Sequence, residues 1–534
     1  MKVFRFLSVL LILVLFGGAV GYFLSQWGAE EGTEGVAEER RQHLLSGSAV
    51  KRDFSVGSGD YAKVDVRDFP PTTIPGEYVL HFSNREDYLA YLRALSAEGL
   101  SAIGQIDRLR VVRVGQDVMA RINPERYGAE PDFSYRVEQP LPPAEMDPEA
   151  LARLQAFGIT AREIVGGSVD GDGAGILVGI LDSGIEVHST FDDVYIVDID
   201  LAGAGVAGPG AGHGTAVASI IAGRDGIAPA AELFVVRVLD ENGSGNSFHV
   251  ADGIIQATDM GVHIINMSLG VYQDSRLLRE AVQYATEQGV LIVAAAGNDG
   301  YMRLPYPAGY SGVLSVTAVD QQGRQALFPN QSMQIDFAAP GVGVVAAAAE
   351  GGTQSFSGTS AAAPFVSGTL AAMLSADPGR TSRQTVELLK RYLNDAGAPG
   401  VDPVYGAGVV DWDRLRERAT PGILDAAVAS IHLDPAALPG TTMPIEVTVQ
   451  NRGTRWFSGA DLEVIIGEAD PVNFLLESLG PGQTTTRRVF AQIPSMDSDE
   501  ALTIAARVLP EKPMDDVRLE NNLKVIQFRP RDSE

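Results

Sequence analysis

The sequence predicts an α/β domain built on a parallel sheet, preceded by a small α+β unit and followed by an all-β sandwich. Three observations predict it. Between about residues 150 and 418, apolar runs of strand length alternate with helical runs. After Thr420, short alternating runs are separated by Gly, Pro and Asn. Ahead of both, from Glu77, a strand pattern, an amphipathic helix and a second strand stand together.

The first segment carries a targeting signal. Lys2 and Arg5 precede an uncharged run from Phe6 to Ala29, and Glu30, Glu31 and Glu34 follow it. That charge order places the N-terminus in the cytoplasm and the rest outside. The run approaches the ~20 residues that span a bilayer. Ala19-Val20-Gly21 also offers small residues for cleavage. Residues 1–29 are therefore expected to be a signal anchor or a cleaved signal peptide. The protein is then extracytoplasmic, either anchored in the membrane through this segment or secreted.

Residues 30–72 are rich in Glu, Ser, Gly and Asp and read as a linker. EYVLHF reads as a strand, REDYLAYLRALSAEG as a helix ending in Gly99, and LRVVRV as another strand. This α+β unit is expected over 73–125. Residues 126–149, containing QPLPPAEMDP, read as a Pro-rich connector.

Over 150–418, GILVGILD, ELFVVRVLD, VHIINMSLG and VLIVAAAGN are near-continuous apolar runs. Such runs suit strands buried on both faces of a parallel sheet. SFHVADGIIQATDMG and SRLLREAVQYATEQG between them have helical spacing and end in Gly. The strands end in Asp182, Asp240, Gly270 and Asn298, and functional residues collect at such carboxyl ends. Over 423–530, SIHL, MPIEVTVQN, ADLEVIIG, TTTRRVFAQI, ALTIAARVL and LKVIQFRP supply the strands of a sandwich.

The 534 residues carry 41 Lys+Arg against 68 Asp+Glu, a net charge of −27. That balance argues against nucleic acid, which rewards clustered Lys and Arg. Cysteine is absent, which removes disulfides, thiolate metal sites and a Cys nucleophile. Covalent catalysis would have to use oxygen or nitrogen.

Three polar residues sit in small-residue surroundings that packing alone does not require. Asp182 ends a strand before Ser183-Gly184, His213 lies in Gly-His-Gly-Thr ahead of AVASIIAG, and Ser360 starts the apolar helix AAAPFVSGTLAAML. A serine needs a base to remove its proton, and histidine titrates in the right range. A carboxylate behind the imidazole fixes its tautomer and stabilises the imidazolium. A helix starting at Ser360 aims its free N–H groups at the reacting oxygen, with Pro364 tolerated in the first turn. Asn298, in Ala-Ala-Ala-Gly-Asn, offers a side-chain amide suited to a developing oxyanion.

These segments resemble the subtilisin family of serine proteases. LDSGIEVHSTF surrounds the Asp, GHGTAVASIIAG the His and SFSGTSAAAPFVSG the Ser. MSLG, AAAGN, YPAGYSGVLSVTAV, DFAAPG and YGAGVVD match in the family's order across about 260 residues. The resemblance implies a subtilisin-like serine endopeptidase with Asp182, His213 and Ser360 as the triad and Asn298 as the oxyanion donor. It implies that Ser268, Leu269 and Gly270 form an edge pairing with substrate backbone. It further implies protein or peptide substrates, no cofactor for the chemistry, and a structural calcium that cannot be placed, so the metal ligands are unknown. Residues 76–118 are similar to the family's inhibitory prodomain, making the chain a zymogen cut between Gln139 and Ile164. The C-terminal region is similar to bacterial adhesion-type modules that could bind a protein partner. One departure is AGPGAG before His213, where relatives often carry an acidic or amide residue.

Each residue also has a plainer reading. Asp182 before Ser-Gly is turn chemistry, Ser360 could be an N-cap, and Asn298 before Asp-Gly could sit in a turn. Their joint occurrence in order on one sheet favours the triad. His43, His81, His188, His249, His263 and His432 read as structural or solvated, and Asp192 and Asp193 as a solvated loop face. Two rivals remain. One is a non-catalytic binding or scaffolding protein with a protease-like domain. The other is a lipase or esterase, disfavoured because there the Ser precedes the Asp and His.

Overall fold

The computed structural model describes residues 72–140, 154–205, 210–326, 328–434, 440–457, 459–494, 502–510 and 515–528. The expected membrane or signal segment over 1–29 and the linker to residue 71 lie outside the described residues. Among the described residues no helix is long and apolar enough to cross a membrane.

An N-terminal α+β unit comes first: β1 (Thr73–Phe82), α1 (Arg85–Ala97), β2 (Gly104–Ile106), β3 (Val111–Gly115) and β4 (Ala129–Glu138). Asn84 caps α1 by accepting the Asp87 N–H. Tyr88, Tyr91 and Leu95 of α1 pack on Leu80, Phe82, Val112 and Val114 of the sheet. The expected connector over 126–149 is corrected here, because β4 occupies much of its first half and pairs with β1. Pro131 hides it in the sequence. Its missing N–H is tolerated because that half of β4 has β1 on one side only.

The central sheet contains β5 (Leu177–Asp182), β6 (Ile196–Asp200), β7 (Glu232–Arg237), β9 (Ile264–Met267), β10 (Leu291–Ala295), β11 (Val313–Val319) and β12 (Phe337–Pro340). Their order across the sheet is β12-β11-β10-β9-β5-β7-β6, all parallel. A short strand, β8 (Ser244–Asn246), stands outside this sheet. Successive side chains of each strand enter opposite layers. Val178 and Ile180 of β5 face α2 (Gly212–Ile221) and α5 (Thr359–Ala376). Leu181 of β5 faces α3 (Ser247–Asp259) and α4 (Arg276–Glu287). The strand order reverses at β5, which has β9 on one side and β7 on the other. Ligands of open parallel sheets bind at the carboxyl ends beside such a point.

A hairpin of β13 (Val344–Ala347) and β14 (Thr353–Phe356) precedes α5, and β15 (Leu393–Asn394) with β16 (Val409–Val410) closes the sheet edge. The C-terminal region forms two antiparallel sheets. One holds β17 (Ala426–Leu433), β18 (Thr442–Asn451) and β21 (Thr484–Gln492). The other holds β19 (Ala460–Ile466), β20 (Val472–Leu476), β22 (Leu502–Pro510) and β23 (Leu523–Phe528). Val447 and Val449 of the first share a core with Leu462, Val464, Ile504 and Val508 of the second. This region is joined to the α/β domain by buried Gln450, which donates to the Leu393 carbonyl at 3.1 Å, and by buried Arg414, which donates to the Arg452 carbonyl at 3.2 Å.

Candidate active site

Asp182 ends β5 and is fully buried. Its Oδ1 accepts the Ser183 N–H at 2.7 Å and lies 2.7 Å from His213 Nδ1. A carboxylate only accepts, so Nδ1 carries the proton and Nε2 is left as the basic nitrogen. His213 is the second residue of α2, and Ser183 Oγ accepts the Gly214 N–H at 3.2 Å. The residue after Asp182 thereby fixes the start of the helix that carries His213. Gly214 has to be glycine, since a Cβ there would lie 2.1 Å from the Gly184 carbonyl oxygen. The Phe356 ring meets the imidazole edge to face at 5.3 Å.

Ser360 is the second residue of α5, behind Gly358 at φ +127°. A residue with a Cβ rarely adopts that conformation. Pro364 is corrected from the first turn to the second, because α5 begins at Thr359. A helix N–H bonds the carbonyl four residues earlier, so Pro364 leaves the Ser360 carbonyl without its helical donor. Ser268 supplies a replacement, its Oγ donating to that carbonyl at 3.3 Å. Behind it, Ser367 Oγ donates to Asn266 Oδ1 at 2.8 Å, and Asn266 Nδ2 donates to Ser268 Oγ at 3.4 Å. Ser360 Oγ itself is buried without a hydrogen-bond partner. The Ser360 hydroxyl and the His213 imidazole are therefore not hydrogen-bonded to each other.

Asn298 follows β10 and is oriented by the helix that carries Ser360. Its Oδ1 accepts both the N–H and the Oγ1–H of Thr359, at 3.0 and 2.9 Å. Thr359 Oγ1 in turn accepts the Gly297 N–H at 3.1 Å. The five residues Asp182, His213, Ser268, Asn298 and Ser360 thus gather at the carboxyl ends of β5, β9 and β10, and all but His213 are nearly fully buried.

Leu269 and Gly270 continue from Ser268. Gly270 exchanges two backbone hydrogen bonds with Glu138 at the end of β4, at 2.9 and 3.0 Å. The other side of β4 pairs with β8, with Val137 opposite Gly245, and the Gln139 N–H reaches the Gly243 carbonyl at 2.9 Å. Sequence reasoning missed this second edge, although Gly243-Ser244-Gly245 between a strand and a helix is its visible signal.

A second missed group surrounds Asp299. Asn330 Oδ1 accepts the Asp299 and Tyr301 N–H groups at 3.2 and 2.9 Å, and its amide donates to Tyr272 Oη at 2.7 Å. Tyr272 Oη donates to Asp299. Burial raises the Asp299 carboxyl above its ordinary range, and burial, helped by Asp299, raises the Tyr272 phenol. Among the described residues no group of three or more His, Cys, Asp or Glu is placed to hold a metal. Asp192 and Asp193 are exposed. His188 and His263 each accept a backbone N–H, while buried His81 of β1 faces Glu280 of α4 and half-buried His249 of α3 meets Arg113 of the N-terminal unit.

The sequence profile of the subtilase family matches residues 173–408. Over 212 residues the chain is 42% identical to a thermostable alkaline protease of Halalkalibacterium halodurans, covering 39% of this chain and 58% of that protein. It spans little more than half the length of that relative. Over 281 residues it is 34% identical to Subtilisin Savinase of Lederbergia lenta, covering 50% of this chain and 98% of the relative. The crystal structure of fervidolysin from Fervidobacterium pennivorans, a keratinolytic enzyme related to subtilisin, superposes with a TM-score of 0.55. That match covers 85% of this chain and 92% of fervidolysin at 20% identity, a likeness of fold.

Proposed function

Since the chain belongs to the subtilase family of serine endopeptidases, we propose that it hydrolyses peptide bonds of protein or peptide substrates outside the cytoplasm through an acyl-enzyme on Ser360. The observation that carries this reading is the 2.7 Å contact between His213 Nδ1 and Asp182 Oδ1, which leaves Nε2 as the base.

In this reading Ser360 Oγ attacks the substrate carbonyl while His213 Nε2 takes its proton. Asp182 holds the imidazole and stabilises the imidazolium. Negative charge develops on the carbonyl oxygen, where Asn298 Nδ2 and the N–H groups at the start of α5 receive it. His213 then protonates the leaving amine, and water, activated by the same imidazole, releases the acid. No cofactor enters any of these steps. Substrate would lie as a strand along Ser268-Leu269-Gly270. The N-terminal unit, whose end lies in this cleft, acts as an inhibitory prodomain. Export, with or without a membrane anchor, rests on residues 1–29. The C-terminal sheets serve as a module for a protein partner.

The test is labelling with a fluorophosphonate probe together with protein hydrolysis. Wild type freed of its N-terminal unit is expected to do both, and Ser360→Ala treated in the same way neither while remaining folded. Turnover retained by Ser360→Ala overturns the reading. A folded wild type that neither labels nor hydrolyses once its N-terminal unit is gone favours the non-catalytic binding protein.

A further inference from the structure

The strand that lies in the cleft is part of the chain, and its register places a particular residue at the nucleophile. Glu138 and Gly270 form a hydrogen-bonded antiparallel pair. Continuing that register, residue 139 stands opposite Leu269 and residue 140 opposite Ser268. Ser268 Oγ touches the Ser360 carbonyl. The residue at the nucleophile is therefore Pro140.

We propose that Arg136–Pro140 is a resident inhibitory strand that the active site holds but does not cut at the Pro140 carbonyl. The inference rests on the protease reading above. In an antiparallel ladder the hydrogen-bonded pairs alternate, so after Glu138 the next residue to donate to this edge is residue 140. Proline has no N–H to donate to the Ser268 carbonyl. Cutting here requires Ser360 Oγ to bond to the Pro140 carbonyl carbon while His213 carries the hydroxyl proton to the departing nitrogen. Water then releases the carboxylate. A substrate strand lacking the donor beside the reacting carbonyl is held less firmly in attacking geometry. The same proline strengthens the inhibitor. It confines Gln139 to extended backbone, the conformation in which the Gln139 N–H reaches Gly243. Val137, fully buried in the core shared by the N-terminal unit and the α/β domain, anchors the strand. Release of the N-terminal unit then depends on a cut elsewhere in the chain.

The experiment follows the N-terminus of the full chain in detergent solution by mass spectrometry, comparing wild type with Pro140→Ala and Pro140→Ser. Each is made with and without Ser360→Ala. Glu138→Pro, which removes the N–H given to Gly270, opens the cleft for a fluorophosphonate probe and reports on Ser360 independently. Restoring one backbone hydrogen bond is worth about three- to tenfold. Chains beginning at Leu141 should therefore appear at least about threefold faster in Pro140→Ala and Pro140→Ser than in wild type, and never with Ser360→Ala. Equal cutting after residue 140 in wild type overturns the proposal and leaves the protease reading intact. Labelling of Glu138→Pro without cutting after residue 140 in either variant refutes the register alone. Failure of Glu138→Pro to label, once amide exchange at Gln139 shows that the strand has left the cleft, refutes the protease reading and this inference with it.

Discussion

The hydroxyl of Ser268 donates to the backbone carbonyl of Ser360 at 3.3 Å, where a helix without Pro364 would place its own N–H. A wall of the cleft and the start of the nucleophile's helix are thereby tied together. Ser268→Ala should leave a buried carbonyl unpaired and cost about 1–3 kcal/mol. Pro364→Ala returns the helical donor, so the double variant should lose less than Ser268→Ala alone. Denaturant unfolding in a Ser360→Ala background, which removes self-digestion, checks both. Equal losses in the single and double variants would refute this account.

Asp182→Asn preserves the side chain's shape but removes the charge that stabilises the imidazolium of His213. Because the single oxygen Oδ1 meets both the Ser183 N–H and His213 Nδ1, an amide nitrogen turned into that place would also favour the tautomer in which Nε2 is not basic. A loss of about 10⁴ in kcat is expected, with KM changed far less. Steady-state kinetics on a chromogenic peptide measures it.

Asn298 has two tasks on opposite ends of one amide. Asn298→Ala should lower kcat by about 10²–10³, the range known for an oxyanion donor in subtilisin itself. The same change strips the acceptor from the Thr359 N–H and hydroxyl, so the melting temperature should fall as well. Asn298→Asp retains that acceptor and should recover stability without recovering kcat.

The N-terminal unit should loosen in acid. Arg113 on β3 approaches His249 Nε2 on α3 at 3.1 Å, with Glu77 on β1 paired to the same guanidinium. Asn246 contacts His249 Nδ1, and Asp200 is the other acidic group that acts on it. Burial first, then the Arg113 charge, pushes the His249 imidazole down to about 4. An undocked His249 regains the ordinary value near 6.5. The undocked state therefore binds more protons between about pH 4 and 6.5, and docking weakens as pH falls through that window, by up to about tenfold per pH unit. On the same unit, buried His81 faces Glu280 at 3.5 Å. Amide exchange at Glu138 and Gln139, measured in Ser360→Ala and corrected for intrinsic rates, should speed up in acid. His249→Gln should flatten that dependence.

The local part of this architecture was legible in the sequence. Asp182, His213 and Ser360 each stand at an element boundary marked by glycines, and boundaries of that kind are written in adjacent residues. Four of the seven parallel strands, β5, β7, β9 and β10, announced themselves as apolar runs because both faces are buried. Edge strands are the converse case. Val472–Leu476 escaped because much of it faces solvent, with Leu475 75% exposed. β4 escaped because Pro131 reads as a strand breaker until its one-sided pairing is seen.

What only the tertiary structure decided are the pairings between distant segments. Asn266 meets Ser367, Ser268 meets Ser360, Tyr272 meets Asn330 and Asp299, and Glu138 meets Gly270 across 132 positions of chain. None leaves a periodic or compositional trace. Each depends on strand order and register, which are chosen by packing of the whole sheet rather than by the preferences of neighbouring residues. The sequence by itself determined which residues can do the chemistry. The fold decided which residue of the chain's own N-terminal unit lies against them, because only the antiparallel register between β4 and the Gly270 edge brings Pro140 opposite Ser268.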